Sequence, residues 1–203
     1  MAENLKASTE KGSWCYNNVP ENCEKYGCLY TWVAAMAFPD SCYNSKCETL
    51  EKNHQGICPN GFHIPTIEEF NKLYDYVGGI EIAALTLMSK ENWAKEDFAN
   101  DEDEFDRFGF NMLLGGYMAN ENVNANSIDN GIFCHEGRYS ALWTQNNEGV
   151  IDTPFVWFVN GLKENLKENY DRAGLQNFSY RTKEIYQESL RKNGGSYLRC
   201  IKN

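Results

Sequence analysis

The sequence contains no apolar run of about 18 residues, the length that a helix needs to cross a bilayer, so it predicts no transmembrane helix. It also lacks a cluster of basic residues, because 19 lysines and arginines stand against 29 acidic residues and give a formal charge of −10. Nucleic acids and anionic membrane surfaces require a basic surface on the protein. Both are therefore excluded as expected partners.

The sequence also lacks the familiar catalytic motifs. There is no Gly-x-Ser-x-Gly turn, His-Glu-x-x-His motif, phosphate-binding loop or dinucleotide fingerprint. One catalytic alternative stays open, since any two of the 29 carboxylates could converge in space as they do in glycosidases. We therefore expect a protein that is not an enzyme and keep a carboxylate-dependent enzyme, acting on carbohydrate or protein, as the alternative.

The cysteine content predicts the compartment. The N-terminal residues lack the basic and apolar segments of a signal peptide, which alone would predict a cytoplasmic protein. However, the chain has eight cysteines and no Cys-x-x-Cys pair, so disulfides account for them better than zinc does. Disulfides persist in oxidising compartments, so we expect an extracellular or cell-surface protein whose export signal lies outside this sequence.

Apolar spacing predicts three helices in the first half of the chain. Leu29, Trp32, Val33 and Met36 lie on one helical face within residues 29–38. The second helix begins after Thr66 as N-cap, has Glu68 and Glu69 in its first turn, and ends at Gly78 and Gly79. The third covers residues 80–90.

The second half of the chain predicts short antiparallel strands. Aromatic and β-branched residues, broken by glycine and asparagine, occur within 108–118, 137–145, 153–161 and 195–203. Residues 162–194 are rich in lysine and glutamate, and we expect part of them to be helical, with Gly174 preventing one continuous helix. Together these features predict a single α+β domain over residues 1–203, with two or three helices flanking a small antiparallel sheet.

Several segments together resemble the Fibrobacter succinogenes major paralogous domain. The similarity covers nearly the whole chain and is carried by the following stretches: "MAENL", "GSWCYNNVPENCEKYGCLYTWVAAM", "GICPNGFHIPTIEEFNKLYDYVGG", "FGFNMLLGGY", "ALWT" and "GGSYLRCIKN". The resemblance implies a secreted or surface protein, often lipid-anchored in its full-length form. It also implies a fold similar to C-type lectins and formylglycine-generating enzymes, with long loops and disulfide staples.

This sequence differs from the usual family pattern at several positions. In the family a strand and a tryptophan usually precede "MAENL", so this sequence is expected to start inside the domain, after the export signal. Leu142-Trp143-Thr144 stands where Phe-Trp-Ser-Ser is common, residues 162–193 are longer than the usual hairpin, and Cys28 and Cys134 are additional. The reactive, copper-binding cysteine pair of the formylglycine-generating enzymes has no counterpart, so their activity is not implied.

Eight cysteines allow 105 pairings, and spacing alone does not decide between them. Cys15–Cys23 and Cys42–Cys47 are close enough in sequence for local staples. The resemblance implies Cys58–Cys200, which leaves Cys28 with Cys134 as the fourth pair. The alternative, a reactive thiol, needs a lowered pKa and a nearby base, and the even count leaves no spare cysteine.

Two candidate metal sites have simpler explanations. His63 follows Cys58 in a Cys-x4-His pair, but zinc needs four ligands, so we expect a structural corner in which His63 bonds backbone or packs on an aromatic ring. The acidic run at residues 97–106 suggests calcium, with Asp101, Asp103 and Asp106 as candidate ligands. It does not match the EF-hand pattern, and a solvated acidic loop is the alternative.

Aromatic and amide side chains in the loops suggest a ligand surface. Tyrosine stacks on the apolar faces of sugars, and asparagine holds hydroxyl groups. Candidate binding residues are Tyr117, Asn120, Asn122 and Asn146, whereas Trp143 and Trp157 are expected in the core. The predicted ligand is a glycan, a cell-wall polymer or another protein, and a purely structural surface protein is the remaining alternative.

Overall fold

The computed structural model describes residues 1–43, 45, 47, 51–91, 105–119, 131–147, 172–179 and 184–203, with backbone only at 146, 147, 172–179, 184 and 186–190. The α-helices are α1 (Pro20–Tyr26), α2 (Trp32–Ala35), α3 (Ile67–Tyr76) and α4 (Ile80–Leu87). The strands are β1 (Ser13–Trp14), β2 (Leu29–Tyr30), β3 (Phe62–His63), β4 (Tyr117–Ala119), β5 (Ile132–Cys134), β6 (Tyr139–Asn147), β7 (Arg172–Ser179), β8 (Glu184–Arg191) and β9 (Ile201–Lys202). None of the helices described here has the length and apolar character needed to span a bilayer.

The predicted α+β class is confirmed, but the strands form four small sheets instead of one. The described strands pair as β1–β2, β3–β9, β4–β5 and β6–β7–β8, and every one of these pairs is antiparallel. Isolated bridges such as Leu142–Tyr197 and Met118–Gly195 connect the sheets. Because most strands have only two or three residues, the sheets depend on these bridges and on the core between them.

The C-terminal segment, residues 195–202, is buried from Gly195 to Cys200 and reaches the surface at Lys202. Ser196 exchanges two backbone hydrogen bonds with Tyr30, at 2.8 and 3.0 Å, and the N–H of Tyr197 donates to the carbonyl of Ala141 at 3.0 Å. Further backbone bonds from this segment reach Leu5, Met118 and Trp143. Segments far apart in sequence are therefore connected through one stretch of chain.

Two tryptophan side chains connect residues 30–32 to strand β6 by hydrogen bonds. The indole N–H of Trp143 donates to the carbonyl of Tyr30 at 2.7 Å, and that of Trp32 donates to the carbonyl of Thr144 at 2.9 Å. Both side chains are completely buried, which confirms the expected core position of Trp143. Burying indole rings with their N–H groups satisfied provides apolar contact without an orphaned donor.

His63 and helix α3 form a structural corner. Thr66 is the N-cap of α3, as the sequence predicts, and its reciprocal hydrogen bonds with Glu69 make a capping box. The buried ring of His63 bonds two side chains, with Nδ1 2.6 Å from Asn203 Oδ1 and Nε2 2.9 Å from Glu69 Oε1, instead of the predicted backbone or aromatic partners. A network that occupies both ring nitrogens accounts for His63 without a metal.

The predicted helix over residues 29–38 is corrected by the structure. Leu29 and Tyr30 form strand β2, and only Trp32–Ala35 is helical, with the Thr31 side chain accepting from the N–H of Ala34. The apolar spacing is the same for both outcomes, but pairing with β1 and Ser196 selects the strand. The predicted helix at 80–90 is present but ends at Leu87.

Two further elements differ from expectation. Residues 20–26, where apolar spacing predicts no helix, form α1, which has Pro20 in its first turn and Gly27 as its C-cap. In the Lys- and Glu-rich stretch, expected to be partly helical, residues 172–179 and 184–191 are strands whose backbone pairs with β6 and with each other. Sheet pairing overrides helix propensity here. Residues 153–161, including Trp157, lie outside the described residues.

Three of the four predicted disulfides are present, namely Cys15–Cys23, Cys42–Cys47 and Cys58–Cys200. The fourth, Cys28–Cys134, does not form in the structure. Cys28 Sγ lies 2.7 Å from Cys23 Sγ, whereas Cys134 Sγ is directed to the carbonyl of Ile132 on its own strand. The two thiols therefore belong to different surroundings.

We predict that the long disulfide stabilises the fold more than the short one. Cys58–Cys200 links residues 142 apart, and Cys42–Cys47 residues 5 apart. Loop entropy gives about 5 kcal/mol for the first and about 2 kcal/mol for the second. Denaturant unfolding without reductant should show this ranking for the paired serine variants C58S/C200S and C42S/C47S. Equal losses would contradict it.

A second prediction concerns the acid sensitivity of the corner. Partial burial opposes ionisation of Glu69, but hydrogen bonds from Thr66 and the His63 ring outweigh it and lower the pKa of Glu69 from its ordinary value of 4.5. A lowered folded-state pKa stabilises the protein above pH 4.5, and this stabilisation is lost as the pH falls further. Glu69→Gln should therefore lose on the order of 1–2 kcal/mol near neutral pH.

The difference between Glu69→Gln and the parent should shrink when unfolding is measured from about pH 6 down to about pH 3. Glu68→Gln is the matched control, because it removes an exposed carboxylate from the same helical turn but outside the capping box. A gap that stays constant with pH, or an equal effect in the control, would refute the role of Glu69.

Candidate functional site

Three partly exposed rings meet at the edge formed by β4, β5 and the start of β6. The Tyr117 and His135 ring centroids are 5.6 Å apart and tilted by 36°, and those of His135 and Tyr139 are 5.1 Å apart at 61°. His135 is exposed, and the two tyrosines are half-buried. We call Tyr117, His135 and Tyr139 the aromatic patch.

Backbone geometry brings these three rings together. Tyr117 pairs with Cys134 in the β4–β5 ladder, and the N–H of Gly116 donates to the carbonyl of Tyr139 at 2.8 Å. Gly116 has a φ of +74°, and a Cβ there would lie 2.3 Å from the carbonyl oxygen of Cys134. Glycine is therefore required for β4 to approach its neighbours this closely.

The turn between β5 and β6 presents the imidazole. His135 has a φ of +64°, which is uncommon for a residue with a side chain, and its carbonyl accepts the N–H groups of Arg138 and Tyr139, both at 3.0 Å. These bonds hold the tight turn that places His135 between the two tyrosines. The ring arrangement therefore rests on backbone contacts and does not require a ligand.

A carboxylate, Glu136, directly follows His135 of the aromatic patch in the sequence. The Tyr26 hydroxyl donates to Glu136 Oε1 at 2.9 Å, and burial together with this bond raises the pKa of Tyr26, so the phenol stays protonated as a donor. Glu136 is otherwise exposed. Ring faces offer apolar stacking, and a positioned carboxylate accepts hydroxyl groups; these are the two contacts that a sugar uses.

The structure separates the residues that the sequence proposes for ligand binding. Tyr117 is in the aromatic patch, and Asn120 and Asn122 lie outside the described residues. Asn146 is on β6, seven residues beyond Tyr139, which is roughly 20 Å along an extended strand. Asn146 and Tyr117 therefore do not share one small binding site.

Sequence reasoning missed His135 and Tyr139. They flank Gly137, whose φ is also positive, in the stretch "CHEGRYS". A glycine turn between two strand-like runs was the available signal. It predicts the turn, but the ring contacts depend on pairing with β4 at residues 117–119, which the sequence does not specify.

The described residues contain no cluster of carboxylates that would support the calcium hypothesis. Asp101 and Asp103 lie outside the described residues, and Asp106 Oδ1 accepts a hydrogen bond from the N–H of Asn111 at 2.6 Å. Within the described ranges, only Cys15, Cys23 and Cys28 form a group of three metal-ligating side chains. Asp106 is thus accounted for by a local turn.

One described cavity is lined mainly by charged and polar residues. It has a volume of about 290 Å³ and is lined by residues of both charges, including Glu3, Lys6 and Arg199. Arg199 is almost completely buried, which lowers its pKa to about 10, and its Nε donates to Asn4 Oδ1 at 2.9 Å. Because these bonds tie the chain's first residues to its last ones, we interpret this region as structural.

Comparison with known proteins agrees with the segments quoted from the sequence. The chain matches the Fibrobacter succinogenes major domain over residues 1–202, which is nearly its full length. No curated protein and no solved structure shows a significant match. The chain therefore belongs to the Fibrobacter succinogenes major domain family.

Proposed function

We propose that this protein is a non-enzymatic binding module, outside the cell or on its surface, that binds a glycan or cell-wall polymer through the aromatic patch. The supporting observation is the clustering of the Tyr117, His135 and Tyr139 rings at a partly exposed sheet edge. Stacking of ring faces on sugars is the interaction to which this arrangement is suited. Neither a metal nor a nucleic-acid partner is part of the proposal, although calcium at the acidic run is tested alongside it.

The proposed location rests on the disulfides. Three of them join described cysteines, and such bonds persist where the environment is oxidising. A lipid anchor on the full-length protein is part of the proposal, as the family resemblance implies. The proposed C-type-lectin-like arrangement is supported by helices packed with small antiparallel sheets and by the bonding of β9 to the early strand β3.

We predict that loss of any ring in the patch weakens glycan binding. A glycan array with the intact chain identifies the ligand, and titration calorimetry with that glycan gives the dissociation constant. Tyr117→Leu and Tyr139→Leu remove stacking faces while retaining apolar volume, and His135→Asn keeps a residue that tolerates positive φ. Each should weaken binding about threefold to tenfold.

Tyr76→Leu is the matched control, because Tyr76 is 77% exposed and contacts Phe108 on another part of the surface. It should leave the affinity unchanged. The proposal would be contradicted if the protein turned over a substrate in a hydrolase panel and one Asp or Glu substitution abolished that turnover. It would also be contradicted if the protein bound nothing on the glycan array and turned over nothing in the hydrolase panel. A calcium titration that gives no heat and no shift in melting temperature would remove the calcium site.

A further inference from the structure

Three sulfur atoms cluster at the end of helix α1. The Sγ atoms of Cys15, Cys23 and Cys28 all lie within 4.8 Å of one another, and Cys15–Cys23 is a disulfide. The Cys28 thiol is 2.7 Å from Cys23 Sγ and directs its S–H to the carbonyl of Lys6 at 3.0 Å. When the carbonyl of Lys6 accepts the S–H, a lone pair of the Cys28 sulfur is available on the side of the disulfide.

The backbone around Gly27 creates this contact. Gly27 has a φ of +88°, and its N–H donates to the carbonyl of Cys23 at 2.9 Å as the helix ends. A Cβ at Gly27 would lie 2.7 Å from the Cβ of Asn4 and 2.9 Å from the carbonyl of Leu5. The chain therefore reverses tightly at this glycine and returns Cys28 over the last turn of the helix that carries Cys23.

We propose that Cys15, Cys23 and Cys28 form a thiol–disulfide exchange site in which Cys23 alternates between two partners. The Cys28 thiolate attacks Cys23 Sγ, the Cys23–Cys28 bond forms, the Cys15–Cys23 bond breaks, and the electron pair leaves on Cys15 Sγ. Cys28 releases one proton to solvent, and Cys15 takes one up. Attack of a thiolate on a disulfide needs no external oxidant or reductant, so the step is balanced.

The two isomers are close in chain entropy. Cys15 and Cys23 are separated by 8 residues and Cys23 and Cys28 by 5, so loop closure favours the shorter link by only about twofold. Burial raises the pKa of the Cys28 thiol, which keeps the thiolate fraction small at neutral pH. Exchange is therefore expected on the minutes-to-hours scale of uncatalysed disulfide rearrangement.

The exchange changes which cysteine carries the free thiol and how exposed that thiol is. Cys28 is 3% exposed, whereas Cys15 is only half-buried. When Cys23 bonds Cys28, the reactive thiol moves from an enclosed position to Cys15, where solvent and small thiol-reactive molecules reach it. The site thus provides an accessible thiol that can form a mixed disulfide with another thiol-bearing molecule.

Trapping the thiols of the native, unreduced chain tests the proposal. The protein is incubated at mildly alkaline pH, its thiols are blocked with N-ethylmaleimide at intervals, and unreduced peptides are analysed by mass spectrometry. We expect both Cys15–Cys23 and Cys23–Cys28 peptides, each above about one part in ten, with Cys15 alkylated in the second population. Cys15–Cys23 as the single pairing at every time would overturn the proposal, as would a Cys28–Cys134 link.

Two variants keep the test informative. Cys15→Ser should form Cys23–Cys28 quantitatively in a glutathione redox buffer while its melting temperature stays near that of the parent. If Cys23 and Cys28 remain alkylatable in this variant, the proposal fails. Cys28→Ser should retain Cys15–Cys23 and lose all alkylation at Cys15, and Cys134→Ser is the control that should leave the isomer ratio unchanged.

Discussion

The fold depends on hydrogen bonding of the C-terminal segment, residues 195–202, to parts of the chain that are otherwise far apart. Ser196 and Tyr197 are bonded on opposite sides, to Tyr30 and to Ala141, and Cys200 is covalently joined to Cys58. The sheets of two and three strands would be marginal alone. They are stable together because this segment supplies the missing neighbours and closes the core.

The aromatic patch is connected to the C-terminal segment through strand β4. Strand β4 is bonded to Gly195 through Met118, which is completely buried, and the adjacent residue Tyr117 points its ring toward His135. The exposed surface is thereby built on a strand whose other face is in the core. Under the proposed function, a rigid support of this kind lowers the entropy cost of glycan binding, because the rings are arranged before the ligand binds.

The features that the sequence predicts correctly are those set by neighbours in the chain. Thr66 specifies the start of α3 as its N-cap, within a four-residue capping box that ends at Glu69, and Cys42 and Cys47 are close enough to pair directly. Helix α1 is also bounded by local signals, with Pro20 in its first turn and Gly27 as its C-cap, but its seven residues show no apolar stripe long enough to predict it.

The remaining differences depend on contacts between distant segments. Leu29 fits a helical stripe and a strand equally well, and its partner in β1 decides the outcome. In the same way, Tyr117 is recognisable as a candidate, but His135 and Tyr139 join it only through the β4–β5 ladder and the backbone bond from Gly116 to Tyr139. Periodicity within a short segment does not contain this information.

Hydrogen exchange of the native protein tests the central role of the C-terminal segment most directly. The amides of Ser196 and Tyr197 should exchange only by global unfolding, with an opening free energy equal to the unfolding free energy from denaturation. Exchange of these two amides through a smaller opening, while those of helix α3 remain protected, would contradict the account.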